Sequence, residues 1–176
     1  MFQGREADLV RAAKSGDARA FADMLAPEYR AAFRLAYGLL HDGDEAEDAV
    51  QEAAFRAWRK LSNLREGSRL RPWFLAIVAN ESRAIRSRRP RSGPRPEVLE
   101  RIAAEEVDVA TSVDLRRALA RLDHDQRLVL VLRYYLDLPI EEIAATLGTT
   151  PRAARSRVER AVQRLRPIVQ VQEAFS

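Results

Sequence analysis

The sequence predicts an all-α chain of two small helical domains joined by an extended linker. Three observations carry that expectation. Apolar residues recur with a period near 3.6 along most of the chain, and no segment sustains the period-two alternation of β-branched residues that marks a strand. Residues 88–96 read RRPRSGPRP, with three prolines and a glycine among arginines, a composition that cannot propagate a helix. The 176 residues, 47% hydrophobic, suffice to bury one or two small cores. The predicted division is residues 1–89, a linker over 90–111, and residues 112–176.

Within the first part, helices are expected at about 5–14, 17–25, 27–40, 44–61 and 70–88. The fourth, DEAEDAVQEAAFRAWRKL, is the most distinctive. Val50, Ala54, Ala57, Trp58 and Leu61 form its expected inward stripe, while Glu45, Asp48, Glu52 and Arg59 project outward. Acids in its first half and bases in its second suit the helix dipole. Phe55, however, lies beside Asp48, Gln51 and Glu52, and an apolar ring among outward carboxylates marks a docking surface. Residues 63–68 form a polar loop containing Gly67. Pro72 then opens a helix whose Trp73, Phe74, Ile77, Val78 and Ile85 point inward. Asn80, Arg83 and Ser87 share its outward stripe, and Arg86, Arg88 and Arg89 make its end basic. A basic helix after a polar loop suits unstacked bases and backbone phosphates.

The linker changes sign along its length, from arginines to Glu97, Glu100, Glu105, Glu106 and Asp108. Beyond it, helices are expected at about 112–121, 124–136, 140–147 and 151–166. LPIEEIAATLG is a short amphipathic helix with Ile140, Ile143, Ala144 and Leu147 inward, and Gly148 supplies a left-handed stop. Thr150 is placed to cap the next helix and Pro151 to occupy its first position. Small Ala144 at a close crossing, Gly148 four residues on and buried Ala154 make a helix-turn-helix pattern, whose second helix enters the major groove. That helix, within residues 149–166, holds six arginines against the single acid Glu159. Ala154, Val158, Ala161 and Leu165 form its inner stripe, with Arg152, Arg155, Ser156, Glu159, Arg160 and Gln163 outward. A face kept merely soluble interleaves acids with bases for i,i+4 pairing, and this one does not.

Composition narrows the function. The formal charge of +4 and pI near 9.9 favour an anionic partner. No cysteine is present, so disulfides and thiolate metal sites are excluded. No apolar run approaches a membrane span and no leader pattern opens the chain, so no membrane insertion is expected and the simplest location is cytoplasmic. Neither a phosphate-binding glycine loop nor a clustered acid/base pair is present, and the two histidines, His41 and His124, sit beside Asp42 and Asp123 at expected turns or caps. No catalytic residue, metal site or cofactor is therefore expected. A ligand-sensing helix-turn-helix regulator remains the alternative. It would need a dimerising or effector-binding first half, where this chain has an acid-rich face and a second basic element.

The acidic helix, RPWFLAIVANESRAIRSRR, the linker and ALARLDHDQRLVLVLRYYLDLPIEEIAATLGTTPRAARSRVERAVQRLR, in that order, resemble a bacterial RNA polymerase sigma factor of the extracytoplasmic-function group, over about residues 17–89 and 112–166. The resemblance implies region two, region four and no region-three domain between them. It implies core RNA polymerase as partner, through the clamp helices of the largest subunit and the flap of the second-largest, together with double- and single-stranded promoter DNA. It also allows an anti-sigma factor. Asp48, Gln51 and Glu52 match the family's polymerase-contact run, with Phe55 beside them. Asn80 and Arg83 match positions on the helix that holds the minus-ten element, where Arg86 adds charge. Arg155, Ser156, Glu159 and Arg160 match positions facing the minus-thirty-five groove, and Arg152 joins them. The chain departs from the pattern in having Ala54 where an aromatic is usual, with Phe55 one place later, and in having Arg152, Ala153 and Ala154 where members often carry GTV.

Overall fold

The computed structural model describes residues 2–64, 69–88, 119 and 122–173. All regular structure among them is helical. The loop at 65–68, the linker at 90–111 and all but Leu119 of the helix expected at 112–121 lie outside the described residues.

The first half comprises α1 (Phe2–Lys14), α2 (Ala18–Leu25), α3 (Tyr29–Leu40), α4 (Gly43–Lys60) and α5 (Leu70–Arg88). Local chemistry sets the boundaries. The Asp17 carboxylate accepts the Arg19 and Ala20 N–H groups to start α2, and Asp42 accepts the Glu45 N–H at 3.0 Å to start α4. Between α3 and α4 the chain reverses at His41, whose φ of 56° is left-handed.

The core of this half is built on alanine. Ala32 and Ala36 of α3 and Ala46, Ala49, Ala53 and Ala57 of α4 are fully buried, which brings the helices close. Phe74, Leu75 and Val78 of α5 complete the core. The inward stripe of α4 is therefore turned from the expected one: Val50, Ala57 and Leu61 are buried as expected, but Ala54 and Trp58 are half-buried. The Trp58 ring meets Phe21 edge-on at 5.0 Å. Hydrophobicity favoured Trp58 as the inner residue, whereas closeness of the backbones favours alanine.

The second half comprises α6 (His124–Leu130), α7 (Ile140–Thr146) and α8 (Pro151–Glu173). Asp123 and Gln126 form a reciprocal capping box at the start of α6. Its end widens into a π-helical turn, Val131–Tyr135, closed by the Leu136 N–H on the Val131 carbonyl at 2.9 Å. The last helix runs past the expected stop at Pro167, which removes one backbone donor while keeping a helical φ.

The two halves share a core. Leu128, Val131, Leu132, Leu138, Ile143, Ala144 and Ala154 pack with the apolar residues of α3 and α5, while Leu122, Val129, Leu130, Val158 and Ala161 form a smaller cluster within the second half. Arg127, completely buried, stitches the halves through backbone carbonyls. Its Nη1 donates to Leu39 O at 3.0 Å, its Nε and Nη2 to Leu119 O at 3.0 and 2.7 Å, and Nη2 also to Leu122 O at 3.3 Å. Leu39 lies in the last turn of α3, where carbonyls lack helical partners and the dipole favours a cation. Arg86 Nη1 donates to the same carbonyl at 3.2 Å. Gly38 allows the approach: a methyl group there would lie 2.8 Å from Val131 Cγ1 and 3.4 Å from Tyr135 Cδ1. Arg83–Asp125 and Arg69–Glu142 ion pairs also cross between the halves. These are solvent-exposed, and such pairs contribute about 0–1 kcal/mol each. The buried contacts therefore dominate.

Arg127→Ala is expected to lower unfolding stability by about 3 kcal/mol or more, since buried carbonyls left without a donor cost about 1–3 kcal/mol each; urea midpoints of the two proteins measure this. A second expectation concerns His124, which is half-buried where the halves meet rather than at a surface turn. Burial first, and then Arg83, lowers its affinity for a proton below the ordinary value of 6.5, with Arg86 acting alike and Asp125 and Asp123 opposing. The packed form thus prefers neutral imidazole. As pH falls below the ordinary value, separated halves gain the proton before packed ones, so packing weakens. The thermal midpoint is expected to drop between about pH 7.5 and about 5.5, and His124→Gln to flatten that part of the dependence.

Candidate nucleic-acid and protein interfaces

The helix-turn-helix is assembled by backbone chemistry. Gly148 adopts the expected left-handed φ of 60°, and the Thr149 N–H reaches back to Ala144 O at 2.9 Å to close α7. The Thr150 hydroxyl accepts the Ala153 N–H at 3.2 Å, capping α8 as expected. Ala154, Val158 and Ala161 are buried, which turns Arg152, Arg155, Ser156, Glu159 and Arg160 outward, all exposed. Among the described residues, Arg152 and Arg155 meet no carboxylate within ion-pair distance, and Arg160 Nε donates only to its own helix, at Ser156 O. This is a cationic ridge without internal neutralisation. Arg157 and Arg164, not singled out from the sequence, join Arg160 along a cleft of about 750 Å³ beside the start of α6.

On α4, Asp48, Gln51 and Glu52 are exposed, and Phe55 keeps 57% of its surface open, so its ring is no part of the core. The Arg59 guanidinium stands 5.9 Å over that ring. Asp48, Gln51 and Glu52 line one side of a second cleft, of about 530 Å³, with Glu81, Ala84 and Arg88 of α5 opposite. Arg56 spans it, with Nε 3.0 Å from both Glu52 Oε1 and Glu81 Oε1. The Glu52 hydrogen bond and then the Glu81 charge hold this guanidinium above its ordinary value. The Arg56 link to Glu52 was legible as an i,i+4 pair. Glu81 gave no sign, being a carboxylate on the buried side of α5.

On α5, Asn80 and Arg83 are exposed on the stripe shared with Ser87. Arg86 is half-buried and turned to Leu39 O. Arg83 is paired with Asp125 of α6. The three α5 residues thus stand differently: Asn80 open, Arg83 engaged across the halves, Arg86 inside the seam. Among the described residues, no group of three or more His, Asp or Glu side chains is arranged to hold a metal ion. No described helix is long and apolar enough to cross a membrane.

Two family models match the chain: Sigma-70 region 2 over residues 24–91 and Sigma-70, region 4 over residues 112–165. Curated relatives include the ECF RNA polymerase sigma factor SigM of Mycobacterium tuberculosis, 30% identical over 162 residues that cover 91% of this chain and 82% of SigM. The RNA polymerase sigma factor SigV of Bacillus subtilis is 27% identical over 135 residues, covering 76% of this chain and 81% of SigV. Among solved structures, CnrH in complex with the cytosolic domain of CnrY aligns over 95% of this chain and 98% of its own, with TM-score 0.70 and 25% identity. RpoE of Bartonella quintana, in complex with the anti-sigma factor NepR, aligns over 88% of this chain and 99% of its own, with TM-score 0.63 and 27% identity. With helices in the order that regions two and four require, this chain belongs to the extracytoplasmic-function sigma factors of the sigma-70 family.

Proposed function

We propose that this chain, by its family an RNA polymerase initiation factor rather than an enzyme, docks core polymerase through α4, holds the minus-ten element with α5 and reads the minus-thirty-five element with α8. The observation that carries the reading is the pair of opposite, outward faces on α4 and α8. The α4 face offers Asp48, Gln51 and Glu52 around the open Phe55 ring, a polar rim about an apolar anchor, suited to the clamp helices of the largest subunit. The α8 face offers Arg152, Arg155 and Arg160 with Ser156 and Glu159, donors for guanine edges and phosphates and one acceptor for cytosine. Asn80 and Arg83 supply a donor and a cation for the melted minus-ten strand, and Arg86 joins them if the seam opens.

Residues 1–89 are read as region two, 90–111 as linker and 112–176 as region four, which also meets the flap of the second-largest subunit. The place of action is the cytoplasm. An anti-sigma factor is proposed as a further partner, since both solved relatives described above are sigma factors, one of them bound to the anti-sigma factor NepR.

Replacing Arg152, Arg155 and Arg160 by Ala is expected to abolish initiation from a promoter dependent on its minus-thirty-five element. Each lost phosphate contact should lower the slope of log affinity against log salt by about 0.9, and each lost base contact should cost about 1–3 kcal/mol at one base pair. Normal initiation by the triple variant would rule out the α8 assignment. Reversing Asp48 and Glu52 to Lys is expected to abolish co-elution with core polymerase, because like charges against a basic partner cost several kcal/mol, with helical content unchanged. Retained co-elution would place docking elsewhere.

A further inference from the structure

We propose that the face of α3 and α5 is a docking surface for the second half of the same chain, and that Asp125 occupies Arg83 there as a stand-in for a DNA phosphate, so that the free protein rests closed. The clause about Arg83 relies on the minus-ten reading above; the docking itself does not.

Shape, hydrogen bonding and charge on this face all fit one occupant. On α3, Gly38 is a residue that weakens a helix interior, yet every heavy atom nearest to where its Cβ would stand belongs to Val131 or Tyr135. The helix forgoes a side chain where the other half comes closest. One residue on, the Leu39 carbonyl takes a hydrogen bond from Arg127, whose charged group is wholly buried by the contact. At the edge, Arg34 donates to Tyr135 O and lies 4.5 Å over that residue's ring. Exposed ion pairs add little to such a contact, so Arg83–Asp125 does not hold the halves together. What it does is chemical: a carboxylate accepts from a guanidinium as a phosphate oxygen does, and while it is in place Arg83 has no free fork for a nucleic acid.

The closed form is incompatible with reading two promoter elements. Elements named minus-ten and minus-thirty-five are about 25 base pairs apart, roughly 85 Å at about 3.4 Å per pair. Here Arg69 of α5 and Glu142 of α7 are 3.9 Å apart. Polymerase binding must therefore separate the halves, and the separation that spreads the two readers is also what releases Arg83. If nine-tenths of the free chain is closed, the apparent affinity for polymerase is about tenfold below that of the open form.

The chain has no cysteine, so Asp23→Cys on α2 and Ala145→Cys on α7, both exposed positions, allow two dyes to be placed on the full-length protein. Energy transfer is expected to be high in the free protein and to fall when core polymerase is added. Gly38→Leu should lower transfer without polymerase and tighten polymerase binding by up to about tenfold. Asp125→Lys, an exposed change that sets a cation against Arg83 and Arg86, should do the same without touching a core residue. Low transfer in the free parent, or two opened variants that bind polymerase no more tightly, would overturn the proposal. A parent that is closed when free, opens with polymerase and still melts the minus-ten element normally as Arg83→Ala upholds the docking and removes only the role given to Arg83.

Discussion

The guanidinium of Arg127 is the interaction on which the arrangement turns. Burying an isolated cation is costly, and no carboxylate lies within ion-pair distance of it among the described residues. Carbonyl oxygens compensate it instead, and they come from places that need donors: the last turn of α3 and the segment leading into α6. A helix terminus short of donors and a cation short of acceptors solve each other's problem. Lysine could not replace it, since a single ammonium cannot reach carbonyls spread along a planar fork. With Arg127 seated, the orientation of α6 on α3 is set, and α7 and α8 follow because they pack on α6 and on the shared core.

Much of this fold was legible in the sequence because its local signals agree. Asp17, Asp42, Asp123 and Thr150 cap helices where their side chains are short acceptors before an apolar period, and Gly148 ends one where a left-handed residue is needed. The exposed face of α8 was legible for the same reason. What escaped were long-range facts. The rotation of α4 depends on how closely α3 and α5 approach, which no single helix encodes. Arg127 stands next to LVLVL, a run buried on all sides, yet a charged residue beside an apolar run reads as its boundary, not as its interior. His124 looked like a cap position because the helix it begins was legible and the surface it meets was not.

Charge in this molecule is sorted by use. The cations that stitch structure, Arg56, Arg86 and Arg127, have acceptors within the fold. Those on the outer face of α8 do not, and neither do Asp48 and Gln51 on α4. Leaving such groups uncompensated makes the compact state repel itself, a cost that is recovered only when a partner of opposite charge arrives. Arg83 belongs to both groups, a surface cation with an internal partner that water still reaches.

The widened turn at Val131–Tyr135 has a consequence for how this chain tolerates change. A π turn accommodates one residue more than an α turn, so the helix has absorbed an insertion that would otherwise have bulged out as a loop. Val131 and Leu132 before it are buried, while Tyr134 within it is 65% exposed. Loss of any one residue here would return the backbone to regular α geometry and swing everything downstream by about 100°, carrying Leu138 away from the core it now enters. The segment is thus forgiving in chemistry and strict in length: swaps of side chain cost what the individual contacts are worth, whereas a single-codon deletion would misdirect the entire promoter-reading end.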